Sequence, residues 1–146
     1  MSQDEEIGML TNKTNRKMLR FLNSKLQKYD ITPEQWNVLL SLSKEEKVNQ
    51  KQLSQKVDKD QATLVRILDI LEKKELVERK SSKEDRRAFF IDVTDKGREL
   101  VNRLIPFISG TFEQMLNGIS IEEIDTYRKV LMKINENIFN ANEGEN

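Results

Sequence analysis

Residues 49–74 read NQKQLSQKVDKDQATLVRILDILEKK. Asn49 is of a type that caps helices, and Leu53 and Val57 stand four apart, on one face of a short helix. Asp58-Lys59-Asp60 then breaks the pattern. Asp60 can cap a second, longer helix running to about Lys74, in which Leu64, Ile67, Leu68 and Leu71 turn inward and Gln61, Thr63, Val65 and Arg66 stay outside. Two helices across a three-residue turn, the second polar on one side near its start, make a helix-turn-helix pattern.

Immediately downstream the period changes from 3.6 to 2. Leu76-Val77-Glu78-Arg79 and Ala88-Phe89-Phe90-Ile91-Asp92-Val93 read as two strands, and Lys80 to Arg87 as a polar, basic hairpin tip. A helix-turn-helix with a basic hairpin attached is a winged helix, so the fold expected is mainly α with a small β-hairpin wing.

Upstream, Ile7, Leu10, Met18, Phe21, Leu22, Leu26 and Tyr29 form one stripe of a helix over Ile7 to Tyr29. Thr32-Pro33-Glu34-Gln35 then opens another: hydroxyl at the cap, Pro at the first helical position and Gln three after the cap. Trp36, Leu39, Leu40 and Leu42 supply its apolar face, and the polar run Lys44 to Lys47 ends it. Beyond the wing, Thr94 caps a helix carrying Leu100, Val101, Leu104, Ile108, Phe112 and Met115 past Pro106, where a kink is expected, to a stop at Gly118. Ser120-Ile121-Glu122-Glu123 is a further capping box, after which Ile124, Tyr127, Leu131, Ile134 and Ile138 repeat at three- and four-residue steps. The polar tail, Asn140 to Asn146, is expected to fray. Three segments follow: 1–30, an N-terminal helix; 31–94, the winged helix-turn-helix; and 95–146, the C-terminal helices.

Composition narrows the function classes. At 146 residues the chain is about one domain's worth. It has no Cys and no His, which removes disulfides, thiolate metal sites, thiol redox sensing and the usual zinc ligand and general base. No Gly-rich phosphate loop and no nucleophile–base constellation is present, so the chain is expected not to be an enzyme and to carry no cofactor or metal. The first six residues, Met1 to Glu6, are acidic rather than signal-like, and no window nears 18 apolar residues; a soluble, cytoplasmic protein without membrane association is expected. The 25 basic residues balance 25 acidic ones, so any basic binding surface must be local. The densest cluster is Arg79 to Arg87, five basic residues against two acidic.

Over nearly its whole length the chain resembles the MarR family of bacterial winged-helix transcriptional regulators. The resemblance is carried by Gln52-Leu53-Ser54, by Thr63-Leu64-Val65-Arg66 with Leu71-Glu72-Lys73-Lys74, by Leu76-Val77-Glu78-Arg79, by Asp85-Arg86-Arg87, and by Val93-Thr94-Asp95-Lys96-Gly97. Asp58 and Glu75 depart from it, because the family usually has Gly at both positions, where a left-handed backbone is favoured.

The resemblance implies double-stranded DNA as partner, with the second helix of the motif in the major groove. Gln61, Thr63 and Arg66 are then the candidates for base contact: Gln pairs with adenine, Arg forks onto guanine, and Thr touches a thymine methyl or a phosphate. The bland alternative is a solvated helix surface with Arg66 paired to Asp69 one turn on. In the wing, Asp85 and Arg87 match the family's signature, in which the Asp fixes the hairpin by ion pairing and the Arg enters the minor groove; Lys83 and Arg86 would meet phosphates. The competing reading is an exposed turn with scattered charges.

Ile7, Leu10, Ile121, Ile124, Tyr127, Leu131, Ile134 and Ile138 exceed what a small winged helix needs for its own core, and two-fold pairing would cover them. A homodimer on a pseudo-palindromic operator is therefore expected, most often a repressor in this family. The same stripes could instead pack within one chain. Family members commonly respond to small aromatic effectors, and Tyr29, Trp36 and Phe112 are candidates for such a pocket, with ordinary core as the alternative. The competing function is a winged-helix protein-interaction module that never touches DNA.

Overall fold

Polar caps set the helix starts. Ser2 Oγ accepts from the Glu5 N–H at 3.2 Å while the Glu5 carboxylate accepts from the Ser2 N–H at 2.8 Å, so the first helix begins at Gln3, a full turn before the expected Ile7. Thr32 with Gln35, and Asn49 with Gln52, repeat the box at the next two helices. The computed structural model describes residues 1–45, 48–81 and 89–145. Along them run α1 (Gln3–Leu26), a single 3-10 turn (Gln27–Tyr29), α2 (Pro33–Ser43), α3 (Gln50–Val57), α4 (Gln61–Lys73), β1 (Val77–Ser81), β2 (Phe89–Val93), α5 (Asp95–Met115) and α6 (Ile121–Glu145).

The chain divides into two compact units, Met1–Thr111 and Phe112–Asn146. In the first, α2 packs against α1, α3, α4 and β2, and α4 against β1. Leu26, Val38, Leu39, Leu53, Leu64, Ile67, Leu68, Leu71 and Leu104 are wholly buried there. Burying a side chain of this size contributes about 1.5–3 kcal/mol, so these residues dominate the unit's stability. Val38, not among the apolar positions expected of α2, is buried, whereas Leu40 is only half-buried.

The wing is an antiparallel pair in which Val77 opposes Val93, Arg79 opposes Ile91 and Ser81 opposes Phe89. A third segment joins it: the Ile91 N–H donates to the Val48 carbonyl at 3.0 Å. Val48 sits in a polar run and reads as loop, so this pairing is invisible to periodicity.

Where the family usually has glycine, Asp58 and Glu75 both take left-handed backbones, with φ of 52° and 62°. Glu75 follows α4 in a Schellman turn, the Leu76 N–H reaching the Leu71 carbonyl at 3.0 Å. The turn is clamped from α5: the Thr94 hydroxyl donates to the Glu75 carbonyl at 2.6 Å and the Lys96 ammonium to the Lys74 carbonyl at 3.0 Å. Gly97 completes the clamp, because a Cβ there would collide with the Leu76 carbonyl oxygen and lie 2.7 Å from Val93 Cγ1.

In the second unit α6 starts at the expected box, Ser120 Oγ accepting from the Glu123 N–H and the Glu123 carboxylate from the Ser120 N–H, both at 3.1 Å. The Ser120 N–H, and then its hydroxyl, hold the Glu123 carboxyl below the usual carboxylate range. Gly118, with φ of 82°, makes the turn before it. The helix continues to Glu145 instead of fraying after Phe139, since nothing in Asn140–Glu145 removes a backbone donor. Pro106, where a kink is expected, lies inside α5. Among the described residues no helix is long and apolar enough to cross a membrane.

Candidate nucleic-acid interface

The exposed face of α4 is built by what the opposite face buries. With Leu64, Ile67, Leu68 and Leu71 turned into the core, helical geometry leaves Gln61, Ala62, Val65, Arg66 and Asp69 in solvent. Two of the three residues expected at base edges, Gln61 and Arg66, therefore share one surface. Ala62 and Val65 lie between them and supply apolar area suited to a thymine methyl; their places were readable from the four-residue step.

Thr63 differs. It is half-buried, its N–H donates to Asp60 Oδ1 at 2.7 Å, and its hydroxyl donates to Asp60 Oδ2 at 3.1 Å. The hydroxyl thus serves the helix cap. Thr63's N–H and hydroxyl together hold the Asp60 carboxyl below the usual range.

Arg66 does not pair with Asp69. Its Nη2 stands 3.7 Å from Glu34 Oε2, at the start of α2, and Lys59 Nζ approaches the same carboxylate at 3.4 Å. Asp69 is held by Arg79 of β1: Arg79 Nη2 donates to Asp69 Oδ1 at 2.9 Å, and Nη1 donates to Glu72 Oε2 at 3.1 Å. Glu34 and Arg79 belong to the interface's charge pattern, yet neither has a local signal, their partners being on other elements. On the wing's other face Lys80 meets Glu78 at 3.1 Å and Asp92 at 3.5 Å, and these acids, Glu78 first, raise its pKa. The expected wing contacts Lys83, Asp85, Arg86 and Arg87 lie outside the described residues.

Of the three aromatics expected at a ligand pocket, Trp36 is buried at 4% exposure in the core beside Leu39 on α2. Tyr29 lines a cleft of about 440 Å³ with Asp30, Lys74, Leu76, Lys96, Glu99, Leu100 and Arg103. It meets Phe107 edge-on at 5.1 Å, and Lys28 Nζ stands 4.6 Å above the Phe107 ring. Phe112 falls in the second unit. Lys74 is tied down within the lining, its ammonium donating to the Asp30 carbonyl at 2.5 Å and to Gln35 Oε1 at 3.1 Å.

The sequence model described as the MarR family matches residues 31–89. Among solved structures, a protein of unknown function from Listeria innocua is 34% identical, covers 91% of this chain and 93% of its own, and superposes with a TM-score of 0.69. A mutant of MarR from E. coli, solved in complex with operator DNA, is 26% identical over 92% of this chain and 99% of its own, with a TM-score of 0.83. BpsR from Bordetella bronchiseptica, whose DNA binding is regulated by 6-hydroxynicotinic acid, is 21% identical over 92% and 96%, with a TM-score of 0.84.

Proposed function

Since the chain belongs to the MarR family of winged-helix transcriptional regulators, we propose that it binds double-stranded DNA sequence-specifically as a homodimer and represses transcription. The observation that carries this reading is the exposed strip Gln61, Ala62, Val65 and Arg66 on a helix whose other face is wholly buried. A major groove about 12 Å wide admits one such helix, and the buried leucines hold it rigid while the strip meets base edges. The wing residues Lys83, Asp85, Arg86 and Arg87 would extend the contact to phosphates and the minor groove.

One recognition helix buries too little surface to select a site, and two-fold pairing places two of them on half-sites about 34–36 Å apart. The means of pairing are the apolar positions left exposed: Ile7 and Leu10 on α1 at 55% and 61%, and Ile121, Tyr127, Ile134 and Ile138 on α6 at 86%, 56%, 44% and 55%. Ile124 and Leu131, half-buried, complete the α6 stripe. Covering this surface contributes roughly 25 cal/mol per Å².

The effector is an aromatic acid. Tyr29 and Leu100 offer the 440 Å³ cleft an apolar wall, and Lys74, Lys96 and Arg103 outnumber Asp30 and Glu99 around it; BpsR supplies the precedent of regulation by an aromatic acid.

The test is selection of duplexes from a random 30-base-pair library by the purified protein, followed by sedimentation and binding at two salt concentrations. A dimer that enriches a two-fold symmetric sequence, with affinity falling steeply as salt rises, is the expected result. Enrichment of nothing would end the sequence-specific reading and leave the protein-interaction module.

A further inference from the structure

Building on the DNA-binding reading, we propose that Arg79, at the base of the wing, is a positioning residue for DNA recognition: it holds Asp69 away from Arg66 and so keeps Arg66 available to DNA. Asp69 follows Arg66 by three residues, the spacing at which an acid and a base pair across one helical turn. Both side chains are exposed on α4, and nothing within the helix prevents them from meeting. The pair does not form because Arg79 takes Asp69 first.

The geometry gives Arg79 the advantage. Its guanidinium spans two carboxylates a turn apart, reaching Asp69 at 2.9 Å and Glu72 at 3.1 Å with separate nitrogens. A planar fork can satisfy two acids in this way, whereas an ammonium acts as a single point charge. Arg79 is only 28% exposed, against 60% for Arg66. Its partners Asp69 and Glu72 are about as exposed as Glu34, so the advantage lies in the two short contacts of one held guanidinium, whereas the single 3.7 Å approach of Arg66 to Glu34 is readily exchanged for a phosphate or a base.

Strand register delivers the guanidinium. Arg79 opposes Ile91, and two residues back Val77 opposes Val93. Val77, Ile91 and Val93 are all buried. Alternation along the strand puts Arg79 on the same face as Val77, where β1 packs on α4. The hydrophobic core thus aims Arg79 at the acids of α4. Without it, Asp69 and Glu72 would stand uncompensated beside the DNA backbone, and Asp69 would turn to Arg66.

The test is a double-mutant cycle on the duplex that the wild-type protein enriches from a random library, read by fluorescence anisotropy alongside thermal melts. R79M is expected to bind about tenfold more weakly, a loss typical of one specific contact. D69N is expected to bind like wild type. The double variant R79M/D69N is expected to regain more than half of the loss on a logarithmic scale, while melting no higher than R79M. A purely structural Arg79 would give no such recovery, because D69N restores no packing. Should R79M melt below the assay temperature, R79K takes its place, and the same suppression by D69N is expected. R79M binding at wild-type strength, or a double variant as weak as R79M, overturns the inference while leaving the DNA-binding reading intact. Failure of the wild type to enrich any duplex overturns both.

Discussion

Arg66 and Glu34 face one another across the helix-turn-helix at 3.7 Å, with Lys59 sharing the same carboxylate at 3.4 Å. All three groups are at the surface that would meet DNA, so the carboxylate competes with phosphate for two cations. Exposed pairs of this kind contribute only about 0.2–1 kcal/mol, so Glu34→Gln should leave the fold intact and raise DNA affinity by up to about fivefold. Anisotropy titrations at two salt concentrations read the effect. Weaker binding by the variant would show that Glu34 orients Arg66 instead of competing for it.

Glu75 adopts φ of 62° after α4. A left-handed residue with a Cβ costs about 1–2 kcal/mol relative to glycine, so Glu75→Gly should stabilise the chain by about 1 kcal/mol. For a domain of this size the melting temperature should rise by about 2–4 °C. A fall would mean that the freedom glycine adds to the unfolded chain outweighs the strain it relieves.

Asp60, whose carboxyl is held low by the Thr63 N–H and hydroxyl, makes the start of α4 sensitive to acid. A carboxylate with a depressed folded-state pKa contributes stability that is present above its unfolded pKa and is lost as pH falls through the folded one. Asp60→Asn retains a capping side chain but does not titrate. Urea unfolding from neutral pH into acid should therefore show wild type losing stability relative to the variant, with the difference constant at higher pH. Parallel pH profiles would disprove the linkage.

Ile134 and Ile138 are 44% and 55% exposed on α6. Replacing both with Glu would place four charges in the proposed two-fold interface, and sedimentation should show monomers. Binding to a two-fold site should weaken by more than tenfold, since each half then binds alone. A variant that remains dimeric would move the interface elsewhere.

Arg87 is the wing residue that the resemblance to the family sends into the minor groove. Arg87→Ala should weaken DNA binding and lower the salt slope by about one. Unchanged affinity would remove the wing assignment.

Much of this was legible in the chain. Thr32, Asn49, Asp60, Thr94 and Ser120 each cap a helix as read from sequence, because a cap bonds only two or three residues away. Ser2 with Glu5 is the same signal, and it moves the start of α1 to Gln3. The inward face of α4 was equally plain, four leucines and isoleucines at helical spacing having one side to bury. The expected strand Leu76–Arg79 starts one residue later and ends two later, at Val77–Ser81; the Schellman turn claims Leu76.

What the sequence by itself determined is the order of elements, the caps that start the helices and the buried face of α4, all of which follow from interactions spanning one or two helical turns. Tertiary structure alone decided which charges meet. Asp69 turns to Arg79, ten residues away, instead of Arg66, three away, and Lys74 reaches Asp30 and Gln35, 44 and 39 residues back. Surface ion pairs are individually too weak to choose their own partners, so the packing of β1 on α4 and of α2 beneath them makes the choice.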